Sequence, residues 1–304
     1  MDAAGSNDSR RNRLWTHVDR LAGLIGPRHL GLPNGLRAAA SLIERELVSL
    51  DYPVVRQTYV VDGQDVANLS AQLDGRNRAD EIVIVGAHYD TVEDTPGADD
   101  NASAVAVLLE AARLLRRSSP SRSVRFVAFT CEEPPHFYTG SMGSQVYARH
   151  CRINHERIVG MLCLEMVGYY SNNPGSQGFP KDLPRCLRWV FPRRGNFLAT
   201  VSNLRSWRLG LGFRHGFKRF VRFPLYSVAL PERASVIRLS DNSSFWDQGY
   251  PALMITDTSF LRNPNYHAPT DLPDTLDYDC MSAVAYGIAG GVAYLSGGSL
   301  PESQ

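Results

Sequence analysis

The feature that most constrains this chain is a pair of unbroken apolar runs, "EIVIVGAHYD" (81–90) and "VRFVAFTCEE" (124–133). A strand with one wet face alternates apolar and polar residues; these do not, so both faces must be covered. Between them lies "DNASAVAVLLEAARLLRRS", a helix opened by Asp and Asn at capping positions and closed by Arg116 and Arg117. Further helical patterns fall at 13–25, 35–50 and 141–149, and further strand patterns at "YPVVRQTYVV", "VANLSAQL", "RIVGMLCLEMVGYY" and "PALMITD". The glycine-rich tail "MSAVAYGIAGGVAYLSGG" (281–298) reads as a last helix packed on the sheet, borderline in length for a membrane span. The alternation predicts an α/β fold with a mixed, mostly parallel central sheet flanked by helices on both faces.

In such sheets ligands gather where strands end, and here the strand ends are unusually polar. "GAHYD" delivers His88 and Asp90, "GADDN" delivers Asp99 and Asp100, "TCEE" delivers Glu132 and Glu133, "LEM" delivers Glu165, and the loop "NPNYHAPTD" delivers His267. Each alone has an ordinary explanation, since acids before a helix cap it and glutamates after a strand are usually solvated. Together they make a series of imidazoles and carboxylates at successive strand exits. Such donors suit zinc, and the set exceeds what one tetrahedral ion needs.

With these motifs in hand, the chain resembles the co-catalytic zinc peptidases that include aminopeptidase Y, bacterial leucyl aminopeptidases and the catalytic domain of glutamate carboxypeptidase II. The resemblance rests on "GAHYDT", "PGADDNASAVAVLLE", "FVAFTCEE", "GSMGS", "LEMVGYY" and "SDNSSFWDQGYPALMITDTSFLRNPNYHAPTDLPDTLDY". It implies two Zn2+ ions bridged by Asp100, one completed by His88 and Glu165 and the other by Glu133 and His267. It also implies that Asp90 fixes the His88 tautomer, and that Glu132 is the general base for a water held between ions roughly 3.5 Å apart. The expected activity is that of a zinc-dependent exopeptidase, an aminopeptidase acting on peptide substrates. A glutaminyl-cyclase-like aminoacyltransferase with one working zinc, or a non-catalytic peptidase-like binding module, are the alternatives. Three departures mark this chain: Glu165 where relatives commonly carry Asp, an extended "PPHFYT" with His136 after the two glutamates, and "SDN" with Asp241 in place of the frequent Ser-Asp-His.

On this reading residues 1–12 are a polar leader expected to be disordered, and 13–299 form a single zinc peptidase domain. Within it, 171–235 stand out as a basic, irregular insertion near the substrate side. That segment holds twelve Lys/Arg against two acids, a net +10 inside a chain whose total is +1. Its cations could select acidic substrates, although a solvated basic face explains them as well. RNA binding by "FRHGFKRFVRF" is the most distant reading. The overall charge of +1 predicts no nucleic-acid partner and no membrane partner. Five scattered cysteines without C-x-x-C spacing, and an N-terminus without an apolar signal core, predict reduced thiols and a cytoplasmic protein.

Overall fold

A computed structural model describes residues 3–180 and 192–300. The strands are β1 (Val54–Val61), β2 (Gln64–Leu73), β3 (Arg78–His88), β4 (Arg122–Phe129), β5 (Arg157–Glu165), β6 (Leu198–Asn203), β7 (Leu225–Leu230) and β8 (Ala252–Thr256). They make one sheet in the order β1-β2-β4-β3-β5-β8-β6-β7. The four central strands β4, β3, β5 and β8 run parallel, while β2 joins β4 and β6 joins β8 antiparallel.

The helices are α1 (Ala3–Val18), α2 (Pro33–Ser49), α3 (Ala104–Leu115), α4 (Gly143–Ile153), α5 (Trp207–Phe220), α6 (Asn242–Asp247) and α7 (Tyr278–Ser296). The apolar runs explain the layering. In β4, Phe126 and Ala128 point into a core shared with α2, α3 and α7, whereas Val127 and Phe129 point the other way, into a core shared with α4 and α6. Both faces of the strand are therefore dry, as the missing alternation requires.

Helix α1 runs through most of the polar leader, and past it Arg13 forms a two-pronged contact of 3.0 and 2.9 Å with the buried Glu110 of α3. Within the basic stretch, residues 198–230 build β6, α5 and β7, which extend the sheet. The phenylalanines of "FRHGFKRF" turn inward: Phe213 and Phe217 are fully buried against α7, where an added Cβ on Gly287 or Gly291 would come within 2.5 Å of a ring. The glycines of α7 are thus seats for α5 side chains. Among the described residues no helix is long and apolar enough to cross a membrane.

Candidate metal centre

β3, β4 and β5 stop at the same edge of the sheet, and their last residues turn sharply. Cys131 (φ 56°), just before the two glutamates, and Met166 (φ 47°), just after Glu165, take left-handed backbone, as does His267 itself (φ 53°). Non-glycine residues adopt this conformation sparingly, and here it directs carboxylates and an imidazole into one space instead of along the strands.

The side chains meet in pairs. His88 Nε2 lies 3.5 Å from Asp100 Oδ1 and 3.4 Å from Glu165 Oε2. His267 Nε2 lies 3.2 Å from the other Asp100 oxygen, Oδ2, and 3.4 Å from Glu133 Oε1. Asp100 therefore presents one oxygen to each imidazole. Glu132 stands slightly farther off, with Oε2 3.8 Å from His88 Nε2. Two donor clusters tight enough for a cation are His88 with Asp100 and Glu133, and His88 with Glu132 and Glu165.

All but His267 are buried. His88 Nε2 and Asp100 Oδ1 are buried and, among the described residues, have no hydrogen-bond partner. A polar atom in that state costs roughly 1–3 kcal/mol unless something else satisfies it. Converging lone pairs of this kind fit divalent cations, and the imidazole and carboxylate chemistry fits zinc.

Electrostatics point the same way. Burial, then the Asp100 charge, pushes Glu133 up to about 8. Burial followed by the neighbouring carboxylates Glu133 and Glu165 raises Glu132 well above its usual range, with His88 opposing. Burial alone would lower His267, but its bonds to Asp100 and Glu133 lift it to about 10. Carboxylates crowded this closely resist carrying their charges together, and a divalent cation among them would relieve that repulsion.

The surrounding residues explain how the donors are held. The Asp90 carboxylate accepts the backbone N–H groups of Glu132 (3.1 Å) and Glu133 (3.0 Å), and its Oδ1 also faces His88 Nδ1 at 3.7 Å, a ring nitrogen whose nearest contact, at 3.2 Å, is the Asp90 main-chain oxygen. Asp99 turns away from the site, accepting from Gly168 N–H and Asn263. Asp271 receives the Asp99 and Asp100 amides, Asn101 ties the end of β5 to this turn through Leu164 O and Met166 N–H, and Ser240 donates to Glu165 Oε2 at 2.5 Å. Arg28 is wholly buried and donates to the carbonyls of Leu21, Gly26, Tyr89, Pro96 and Gly97, fixing the loop that carries Asp90 at one end and Asp100 at the other. Gly97 must be glycine there: its φ is +65°, and a Cβ would sit 2.3 Å from the Asp100 carbonyl oxygen.

Asp241 is buried close enough to His88 and Glu165 to feel both charges, and burial raises it to about 7. His136 faces Asp62 of the β1–β2 turn at 3.4 Å, so the extended loop contributes Pro134 and Phe137 to the site instead.

Beside the donors opens a cavity of about 280 Å³ whose walls include Phe137, Phe179, Phe197, Val228, Ile237 and Phe260. Several of these come from the basic stretch, yet among the described lining residues there is no lysine or arginine.

The pattern of peptidase family M28 matches residues 68–292. The chain is 36% identical over 280 residues to the uncharacterized protein YfbL of Escherichia coli K12, covering 89% of this chain and 84% of that one. It is 27% identical over 233 residues to leucine aminopeptidase 1 of Trichophyton equinum, covering 72% of this chain and 56% of that longer protein. In fold it is similar to BSAP, a zinc aminopeptidase from Bacillus subtilis, with a TM-score of 0.74 and 16% identity over 97% of this chain and 96% of that one. With its family pattern running from β2 to α7, and with a relative similar along nearly its whole length, the chain belongs to peptidase family M28.

Proposed function

We propose that this protein is a two-zinc aminopeptidase that removes apolar residues from the N-termini of peptides. The observation that carries this reading is the division of the Asp100 carboxylate between two imidazoles, 3.5 Å from one and 3.2 Å from the other. His88 and Glu165 would hold one ion with Asp100, and His267 and Glu133 the other. Ions in those positions supply Lewis acidity toward the scissile carbonyl and lower the pKa of water.

The chain's own residues do the rest. Glu132 borders the donor space without being drawn into either Asp100 pairing, and burial makes its carboxylate avid for a proton. It takes the proton of the attacking water and returns it to the leaving amine. Asp90, accepting the N–H groups on either side of the Glu132 α-carbon, sets the direction of both carboxylates. The apolar cavity receives the substrate side chain; its lining argues against selection of acidic residues by the basic stretch.

Replacing Glu132 by Gln separates the roles. The variant is expected to keep both zinc ions by elemental analysis while turnover of a leucine anilide falls by about 10²–10⁴-fold. Glu133→Gln is expected to lose zinc. Full activity in Glu132→Gln would remove Glu132 from the chemistry, and one zinc per chain in the parent protein would favour a cyclase-like transferase. Leucine and phenylalanine anilides should be cleaved well ahead of the glutamate anilide; equal rates would overturn the apolar assignment.

A further inference from the structure

The net +10 of residues 171–235 is not used by the donor cluster or by the cavity beside it. Much of it stands on α5. Arg208, Arg214, Lys218 and Arg219, with Arg205 before the helix and Arg222 after it, are exposed. Their spacing puts those of α5 on the side opposite Phe213 and Phe217, which are buried against α7. Among the described residues none of the six pairs with a carboxylate, and no acid occurs in sequence between Asp182 and Glu232. Two other arginine clusters each enclose a buried carboxylate: Arg10, Arg13 and Arg113 share Glu110, and Arg78, Arg122 and Arg157 share Glu81.

The same face carries apolar side chains that a solvated basic helix has no use for. Leu204, in the turn just before the helix, is 55% exposed, and Trp207 and Leu211, in its first turns, are 48% and 50% exposed. Cations flanking an exposed tryptophan and leucines form the pattern that rests at a lipid–water interface, where basic groups meet anionic headgroups and the apolar groups enter the acyl boundary. A single-stranded nucleic acid would instead want several exposed aromatic rings for base stacking. Here Phe213 and Phe217 are turned into the protein, Phe220 is half-buried, and the exposed imidazole of His215 lies against Tyr294, which leaves Trp207 as the exposed indole of the helix.

We infer that the outer face of α5 docks this protein on an anionic lipid bilayer surface. The local charge overrides what the total of +1 predicts, because attraction acts within about 10 Å in salt and reads the nearest patch, not the sum.

Co-sedimentation with vesicles tests this on the full chain. The protein is expected to bind phosphatidylcholine vesicles containing phosphatidylglycerol, to ignore vesicles of phosphatidylcholine alone, and to be released by high salt. Trp207 emission should shift to the blue on binding, and Trp207→Phe should abolish that shift. The double charge reversal R214E/R219E is expected to weaken partitioning by roughly tenfold or more, and R214Q/R219Q by less, both leaving hydrolysis of a soluble leucine anilide unchanged. No binding to the mixed vesicles, or binding that R214E/R219E leaves intact, would overturn the inference. Retention on double-stranded DNA without vesicle binding would overturn it in favour of nucleic acid. A dimer in light scattering that R214E/R219E dissociates, again without vesicle binding, would overturn it in favour of a second copy.

Discussion

Glu165 reaches the donor space on a side chain one methylene longer than aspartate, and that extra freedom has to be restrained. Ser240 does this with a 2.5 Å hydrogen bond to Oε2, and the Cys163 thiol, 3.3 Å from the same hydroxyl, sits behind it. Ser240 is fully buried, so no water competes for the contact. Hydrogen bonds to a ligating carboxylate commonly change metal affinity by 10–100-fold. Ser240→Ala is therefore expected to weaken one of the two zinc equivalents by about that factor, read by competition with a chromophoric chelator, while the second equivalent titrates as before. Equal weakening of both would mean that Glu165 does not belong to a single ion. Tyr266 plays a comparable part for His267, stacking on its ring with centroids 3.7 Å apart.

Loops do the positioning that strands cannot. The turn from β3 to α3 carries Asp90 and Asp100 about a buried guanidinium, and five carbonyls each lose a donor if Arg28 is removed, Leu21 and Gly97 keeping a backbone N–H as well. Arg28→Met is expected to cost about 3 kcal/mol or more in denaturant unfolding. Arg28→Lys should recover only part of this, since an ammonium has three donors and no planar fork. Neither Arg28, Asp271, Asn101 nor Ser240 was legible in the sequence as part of the site, and the reason is physical. Their partners are main-chain groups or a single distant side chain, and a bond to a carbonyl leaves no compositional trace. The strand-exit donors were legible because a strand buried on both faces writes itself as an apolar run, so the first polar residue after it stands out. The sheet's parallel core and its flanking helices were legible for the same reason. The β6–α5–β7 unit was obscured by its charge: the helical period of 207–220 makes sense only once the glycines of α7, some seventy residues later, are known to receive its phenylalanines. In α1 the polar sequence hid a helix whose arginines wait for Glu110.

The fold as a whole gathers these carboxylates at one sheet edge, and this has a consequence for stability that depends on pH. In the metal-free protein Glu133 is raised from 4.5 to about 8, so between those values the folded chain holds a proton that the unfolded chain has lost. Its contribution therefore declines as pH rises through that window. His267 is raised from 6.5 to about 10; the stability it gains from Asp100 and Glu133 is complete below 6.5 and lost as pH rises toward 10. The two act with the same sign where the windows overlap, from 6.5 to about 8, and because the groups are bonded to each other they titrate together there. Zinc takes the place of these protons, because it binds carboxylate and neutral imidazole. Metal-stripped protein is expected to melt at progressively lower temperature as pH is raised across that overlap, and zinc-loaded protein to hold its melting temperature. Calorimetry of zinc binding in buffers of different ionisation enthalpy should show net proton release, larger at the lower end of the window than above it. A flat profile for the stripped protein, or zinc uptake without proton release, would show that the crowded carboxylates are relieved by some means other than the shared site.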